Sequence, residues 1–180
     1  MKLKTIGVMG SGKDPWRELA GPLGAWIAHA GHNLLTGGGH GVMAEVARAF
    51  VEVQPREGRS IGILPARVDQ QAGFVPFDGY PNPFVEISIV TPLPRREPGQ
   101  DPATINRNHV NVLSSDVIVA LPGGQGTAQE MALAQGWGKP LICYGPQEAL
   151  AGVPDGIPRA TRLEDVTLFL SASLAGPARS

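Results

Sequence analysis

The sequence predicts an α/β protein with a doubly wound, mainly parallel sheet that carries helices on both faces. Short apolar runs with strand character alternate with segments of helical periodicity. Glycines cluster where an apolar run ends and a helical segment begins, as they do in strand-to-helix turns. Residues 116–121 (DVIVAL) are almost wholly apolar, which is typical of a parallel strand that is buried on both faces.

The composition indicates one folded domain over residues 1–180. Of the 180 residues, 42% are hydrophobic and 17% are charged. The 15 Lys and Arg against 16 Asp and Glu provide no basic surface for a nucleic-acid backbone. The single Cys143 can form neither an internal disulfide nor a multi-thiolate metal site, and the N-terminal apolar run is too short for a signal peptide or a membrane span. We therefore expect a cytoplasmic protein without nucleic-acid or membrane partners.

The first strand-turn-helix unit begins with the strand Thr5–Met9 (TIGVM), which ends in a glycine turn at residues 10–12. Asp14 before Pro15 predicts an N-cap followed by the first helical residue. Apolar residues then recur at helical spacing up to Gly31, a residue suited to a left-handed helix end.

The second unit repeats this order. Asn33–Thr36 (NLLT) is the second strand, residues 37–41 (GGGHG) are the glycine turn, and an amphipathic helix follows from Val42. Ser60–Leu64 is the third strand and residues 84–90 (FVEISIV) the fourth, with a loop at residues 66–83 between them.

The C-terminal part continues the alternation. The strand at 116–121 leads into PGGQGT and a helix, and Leu141–Tyr144 is the sixth strand. Thr161 and Glu164 have the spacing of a capping box and predict a last helix that packs back on the sheet.

The glycine turns locate the expected ligand site. In doubly wound sheets, ligands bind outside the carboxyl ends of the strands, where all three glycine-rich turns are expected to lie. The proline-rich loops at residues 66–83 and 91–102 are long for a compact domain, and loops of this length are usually functional lids or mobile segments.

The first turn is best interpreted as a tight turn. Gly7, Gly12 and Lys13 match the spacing of a triphosphate-binding loop, but Asp14 stands where a Ser or Thr would hold magnesium. The dinucleotide fingerprint fails at the first turn because Pro15 occupies its third glycine position. At the second turn, residues 39–44 give only a weak match to that fingerprint, because no clear acidic partner follows.

The third turn predicts a phosphate site. Its glycines let a phosphate approach the backbone, and amides at the helix start point toward it. Thr127 can add a hydroxyl donor, whereas a carboxylate at Glu130 does not serve phosphate binding. Glu130 is therefore either a capping-box partner of Thr127 or a residue with a chemical role, and the spacing leaves both open.

These motifs together resemble the LOG family, often labelled lysine-decarboxylase-like, of a Rossmann-like group that includes molybdenum cofactor carrier proteins. The resemblance rests on GGGHGVM at residues 37–43, PGGQGTAQE at 122–130 and Arg107 upstream of this second motif, and covers about residues 6–144. It implies a single Rossmann-like domain, a homodimer, and hydrolysis of nucleoside 5′-monophosphates to a free base and ribose 5-phosphate.

By resemblance, Arg107 and Glu130 take the places of the family's catalytic arginine and glutamate. The predicted ligand-binding and phosphate-binding residues are Gly10, Ser11, Gly38, Gly39, Gly41, Pro122, Gly123, Gly124, Gly126 and Thr127. Three residues differ from the usual LOG pattern: Asn108 and Asn111 replace a lysine and a methionine, and Gln129 replaces a glutamate.

The predicted hydrolysis has a physical basis. Breaking an N-glycosidic bond develops positive charge on the sugar, so a carboxylate near the anomeric carbon stabilises the transition state and orients water. A cation assists the departing base or holds the phosphate. The alternative is a non-catalytic carrier or sensor that binds a nucleotide or molybdenum cofactor, whose pterin carries a monophosphate. Lysine decarboxylation needs pyridoxal phosphate on a lysine, and none of the lysines has a persuasive context.

Other reactive residues are interpreted structurally, and neither a metal nor a resident cofactor is expected. His40 can face a ligand as a donor, but the four histidines have no acidic partners at metal-ligand spacing. Cys143 on an apolar strand is interpreted as a small hydrophobic residue. The tryptophans are interpreted as packing or interface residues: Trp16, Trp26 and Trp137.

Overall fold

A seven-stranded parallel sheet is the centre of the part of the chain that the structure, a computed structural model, describes: residues 3–95, 99, 101 and 104–175. The strands are β1 (Thr5–Met9), β2 (Asn33–Thr36), β3 (Ser60–Leu64), β4 (Ala66–Asp69), β5 (Gly73–Pro76), β6 (Ile87–Val90), β7 (Val117–Ala120), β8 (Leu141–Tyr144) and β9 (Arg159–Ala160). The helices are α1 (Arg17–His29), α2 (Val42–Glu52), α3 (Arg107–Leu113), α4 (Gln125–Gly136), α5 (Gln147–Leu150) and α6 (Leu163–Leu174). None of these helices is long and apolar enough to cross a membrane.

The strand order creates a crevice beside β1. The strands lie in the order β6-β3-β2-β1-β7-β8-β9, and Ile6 of β1 is paired with Leu34 of β2 on one side and Val117 of β7 on the other. The chain extends outward from β1 in one direction and from β7 in the other. The loops that follow β1 and β7 therefore diverge, and such a switch point is where open α/β sheets bind ligands.

Helices cover both faces of the sheet. Val117 and Val119 of β7 pack into one core, and Ile118 and Ala120 pack into the other. This alternation explains the continuous apolar run of the strand, because both faces are buried. The predicted α/β, Rossmann-like architecture is confirmed. The helices contribute Leu23, Phe50 and Leu170 to the first core. They contribute Val112 and Ala134 to the second core.

The region between β3 and α3 differs most from the prediction. Residues 66–83, predicted as a loop, contain the antiparallel hairpin β4–β5. The fourth predicted strand begins at Ile87 rather than at residue 84, because Asn82 accepts hydrogen bonds from the N–H groups of Phe84 and Val85 and holds them in a turn. Strand β9 and helix α5 were not predicted as elements. In the predicted loop 91–102, residues 96–98, 100 and 102 lie outside the described residues.

Two predicted helix caps are wrong. Helix α1 begins at Arg17 rather than after Asp14, because the Ser11 hydroxyl accepts hydrogen bonds from the N–H groups of Lys13 and Asp14 and closes a local turn. Trp16 is the N-cap and has a φ of 44°. Helix α6 begins after Arg162 without a side-chain cap, so the predicted capping box is also absent from this described segment.

Candidate functional site

A cavity of about 1080 Å³ lies at the carboxyl ends of β1 and β7. Its walls are the loop after β1, the GGGHG turn after β2, the turn between β7 and α4, and the segment before β6. It includes nine of the twelve residues predicted to bind ligand or act on it: Gly10, Ser11, Arg107, Pro122, Gly123, Gly124, Gly126, Thr127 and Glu130.

The turn between β7 and α4 presents backbone amides to this cavity. Gly124 is the N-cap of α4, no side chain caps the helix, and the first helical hydrogen bond runs from Ala128 N to Gly124 O. The free amides of the first turn therefore lie at the end of α4 where the helix dipole stabilises a bound anion. Ser11 N donates to Pro122 O at 3.1 Å, which fixes this turn against the loop after β1.

The glycines of this turn have different tolerances for a side chain. A Cβ at Gly123 would overlap Thr127 Oγ1 and lie 3.0 Å from the carbonyl carbon of Gly10. A Cβ at Gly124 would meet nothing within 4 Å, and at Gly126 only the Asn108 amide at 4.0 Å. Gly123 is thus required by packing, whereas Gly124 leaves its space open to the cavity.

Arg107, the first residue of α3, is buried against the second glycine turn. Its backbone N–H donates to Pro94 O at 3.1 Å, and its side chain is only 7% exposed. Nη1 occupies the place that a Cβ at Gly37 would take. Nε is buried without a hydrogen-bond partner among the described residues. The guanidinium lies against Gly37, and Arg107 lines the cavity with one donor unpaired among the described residues.

Glu130 projects from α4 into the same cavity. Its Oε1 accepts a hydrogen bond of 2.9 Å from Asn111 Nδ2 of α3. Burial raises the pKa of the Glu130 carboxyl, while the positive charge of Arg107 and the Asn111 hydrogen bond act in the opposite direction. The capping-box interpretation of Glu130 is wrong, because Gly124 is the N-cap and the carboxylate binds Asn111 instead.

The residues that differ from the LOG pattern contact one another or the site. Asn108 Nδ2 donates to Gln129 Oε1 at 3.0 Å, and Asn106 Nδ2 donates to the same oxygen at 3.2 Å. A neutral amide pair thus stands where the usual pattern has a lysine and a glutamate. Asn111, in the usual methionine position, binds Glu130. In this chain all three of these positions carry neutral amides that form hydrogen bonds.

The GGGHG turn contributes to the cavity differently from the prediction. Gly37 and His40 line it, whereas Gly38, Gly39 and Gly41 do not. A Cβ added at Gly38 would lie against Leu64, and one added at Gly39 would lie against Tyr80. A Cβ added at Gly41 would lie against the backbone of residues 11–13. Gly38 and Gly41 also have positive φ values of 70° and 62°. These three glycines shape the turn and bring its neighbours close.

Sequence reasoning missed several residues of the cavity. Gly37 is part of the GGGHG motif, but residue spacing does not reveal that the Arg107 side chain packs closely against it. Asn111 and Tyr80 reach the site through tertiary packing, and neither has a sequence signal of its own. Trp16, interpreted as a packing residue, both lines the cavity and packs against the core.

The remaining reactive residues lie elsewhere. Cys143 is buried on β8, and burial raises the pKa of its thiol to about 11, so the thiol is unreactive at neutral pH. The described residues include no group of three or more His, Cys, Asp or Glu side chains placed to hold a metal ion.

The fold is an α/β Rossmann-like fold with a cavity at its strand ends, and residues 3–166 match the model of the SLOG cluster4 family. The chain belongs to that family. An uncharacterized protein of Archaeoglobus fulgidus is 31% identical over 155 residues, which are 85% of this chain and 87% of the relative.

Two solved structures are similar over almost the whole chain. The molybdenum cofactor binding protein of Rippkaea orientalis is 32% identical with a TM-score of 0.71, covering 96% of this chain and 98% of that one. The molybdenum cofactor carrier protein of Chlamydomonas reinhardtii is 30% identical with a TM-score of 0.71, covering 97% and 99%. The resemblance to the group that contains LOG and molybdenum cofactor carrier proteins is therefore confirmed.

Proposed function

We propose that this protein binds a phosphorylated pterin of the molybdenum cofactor type and carries it unaltered. The observation that carries the proposal is the similarity, over 96–97% of the chain, to two proteins that bind or carry molybdenum cofactor. The alternative in which the protein is a carrier is thus preferred to the hydrolase for this chain.

The phosphate of the ligand binds at the start of α4. The amides after Gly124, the hydroxyl of Thr127 and the loop at Gly10 and Ser11 surround this end of the cavity. A hydrogen bond to a charged group contributes about 1.5–3 kcal/mol, so a few such bonds hold a monophosphate without a lysine. Arg107 adds a buried positive charge to the lining of the same cavity.

The size of the cavity supports a ligand larger than a phosphate. Ligand sites commonly enclose about 300–1,000 Å³, and the cavity of about 1080 Å³ is slightly larger than that range. It has room for a fused ring system with a metal-bearing group as well as the phosphate. The molybdenum is cargo in this proposal, and no protein side chain is assigned to it.

The second candidate is phosphoribohydrolysis of nucleoside 5′-monophosphates. It is favoured by Arg107 and Glu130, which line one cavity as a buried cation and a buried carboxyl group. In this reaction Glu130 would stabilise charge on the sugar or orient water, and Arg107 would hold the phosphate or assist the base.

The two candidates make opposite predictions for one pair of assays. The protein is incubated with AMP, GMP, CMP and UMP, and free base is followed by chromatography beside Glu130→Gln. In parallel, it is mixed with molybdenum cofactor released from a molybdoenzyme, and the molybdenum that coelutes in gel filtration is quantified. The carrier predicts retained molybdenum and no base. Base release that disappears in Glu130→Gln, without molybdenum retention, supports the hydrolase and contradicts the carrier.

The predicted homodimer stays a prediction. Leu113 and Trp137, near the C-terminal ends of α3 and α4, are 55% and 42% exposed and are the apolar side chains that we propose for such an interface. Sedimentation equilibrium measures the mass directly. A monomer at micromolar concentration contradicts this part of the proposal.

A further inference from the structure

Residues 77–84, between the hairpin β4–β5 and strand β6, are fixed on the second glycine turn by Asn82. The Asn82 side chain is buried, and its Nδ2 donates to Gly39 O at 2.8 Å. Its backbone N–H donates to Gly38 O at 2.8 Å, and its Oδ1 accepts from Phe84 N at 3.0 Å. Both polar atoms of the side chain are therefore used to hold this segment in place.

This segment brings Tyr80 to the wall of the cavity. Tyr80 Cε1 and Oη each lie 3.0 Å from the position of a Cβ at Gly39. The ring edge thus lies across Gly39, and it approaches this closely only because residue 39 has no side chain. The tyrosine is placed by backbone hydrogen bonds two residues away and by contact with the turn.

Tyr80 differs from the other aromatic residue of the wall. Trp16 lines the cavity but packs against the hydrophobic core below it. Tyr80 is part of neither core cluster of the described residues. Its ring therefore has no packing role in either core cluster and offers an aromatic surface to a ligand.

We infer that Tyr80 stacks on the planar ring system of the bound ligand and that Asn82 is the residue that positions it. The ligand class is a phosphate monoester attached to a planar heteroaromatic ring. This inference rests on the proposed function for the location of the phosphate at α4. It adds recognition of the ring, for which the glycines of the turn before α4 carry no side chain.

Two phosphorylated probes separate ring recognition from phosphate recognition. Neopterin monophosphate carries a ring, and ribose 5-phosphate does not. Their affinities are measured by isothermal titration calorimetry for the wild type, Tyr80→Phe, Tyr80→Ala and Asn82→Ala, with circular dichroism as the test of folding. Loss of an aromatic stacking partner lowers affinity about 5- to 150-fold.

The expected result is a loss of this size for neopterin monophosphate in Tyr80→Ala, with ribose 5-phosphate changed less than about twofold. Tyr80→Phe keeps the wild-type affinity for both probes, since the ring face is retained. Asn82→Ala loses affinity for the ring-bearing probe alone. Equal losses for both probes in folded Tyr80→Ala, or no loss for either, overturn the inference.

Failure of the proposed function gives a different pattern. If the wild type binds AMP but not neopterin monophosphate, the pterin proposal fails, and the same comparison is made with AMP as the ring-bearing probe. If no ring-bearing probe binds the wild type more tightly than ribose 5-phosphate, the stacking inference itself is overturned.

Discussion

Asn111 of α3 donates a hydrogen bond of 2.9 Å to the Glu130 carboxyl of α4, and both side chains are buried at the cavity. The bond joins two helices at the position where the site carries its only buried acid among the described cavity residues. It fixes one carboxyl oxygen and opposes the effect of burial on the carboxyl pKa. Asn111 therefore orients one oxygen of Glu130 and, together with the charge of Arg107, opposes the effect of burial on its pKa.

Asn111→Leu should raise the pKa of Glu130 further. The variant removes a hydrogen bond that favours the ionised carboxyl and leaves the burial that disfavours it. The carbon-13 shift of the Glu130 carboxyl, followed against pH, gives the midpoint. Asn108→Leu is the matched control in the same helix, because Asn108 binds Gln129 and not Glu130. A midpoint that stays or falls in Asn111→Leu contradicts this role.

Glu130→Gln should stabilise the protein more at pH 8 than at pH 4. The pKa of Glu130 is raised above its usual 4.5 in the folded state, so the unfolded chain loses this proton first as pH rises. The wild type therefore loses stability between pH 4.5 and the higher folded-state pKa, and the glutamine variant avoids this loss. Urea titrations at the two pH values measure it, with exposed Glu148→Gln as control. An equal effect at both pH values would show that Glu130 is not responsible.

Gly124→Ala should weaken phosphate binding without destabilising the fold. The new methyl meets no protein atom within 4 Å, yet it lies where the phosphate is proposed to approach the amides. Loss of one or two charged hydrogen bonds lowers affinity for ribose 5-phosphate about tenfold or more. Gly152→Ala, equally unhindered and outside the cavity, is the control. Unchanged affinity of Gly124→Ala for ribose 5-phosphate would show that the phosphate does not bind at this turn.

Gly37→Ala should act through Arg107. The added methyl takes the position of Nη1, so the guanidinium has to move from its buried place. We expect the loss of phosphate affinity to match that of Arg107→Ala, and the double variant to lose little more. Calorimetry on the four proteins forms a double-mutant cycle. Additive losses would show that Gly37 affects the site by another route.

The sheet was predictable where apolar runs end in glycine or proline. Residues Thr5–Met9, Asn33–Thr36, Ser60–Leu64 and Leu141–Tyr144 have the predicted bounds, because each run is buried and its ends are marked by turn residues. The hairpin β4–β5 was missed because all its residues except Ala66 are at least partly exposed and give no apolar alternation. Its pairing depends on backbone hydrogen bonds that composition does not encode.

The site was predictable where backbone geometry makes the binding surface. The glycines of the β7–α4 turn line the cavity as expected, since phosphate-binding turns require glycine at defined spacing. The partners of the charged residues were not predictable. Asn111 meets Glu130 only because α3 packs on α4, and Tyr80 reaches the cavity only because Asn82 binds the turn at Gly39. These contacts join residues far apart in the sequence.

The retention of molybdenum cofactor tests the central claim most directly. The purified protein is mixed with cofactor released from a molybdoenzyme, separated by gel filtration, and analysed for molybdenum and for the intact pterin monophosphate. The account predicts about one molybdenum per chain with the pterin unchanged, and a lower content in Gly124→Ala. No retained molybdenum in the folded protein, together with base release from a nucleoside monophosphate, would contradict it.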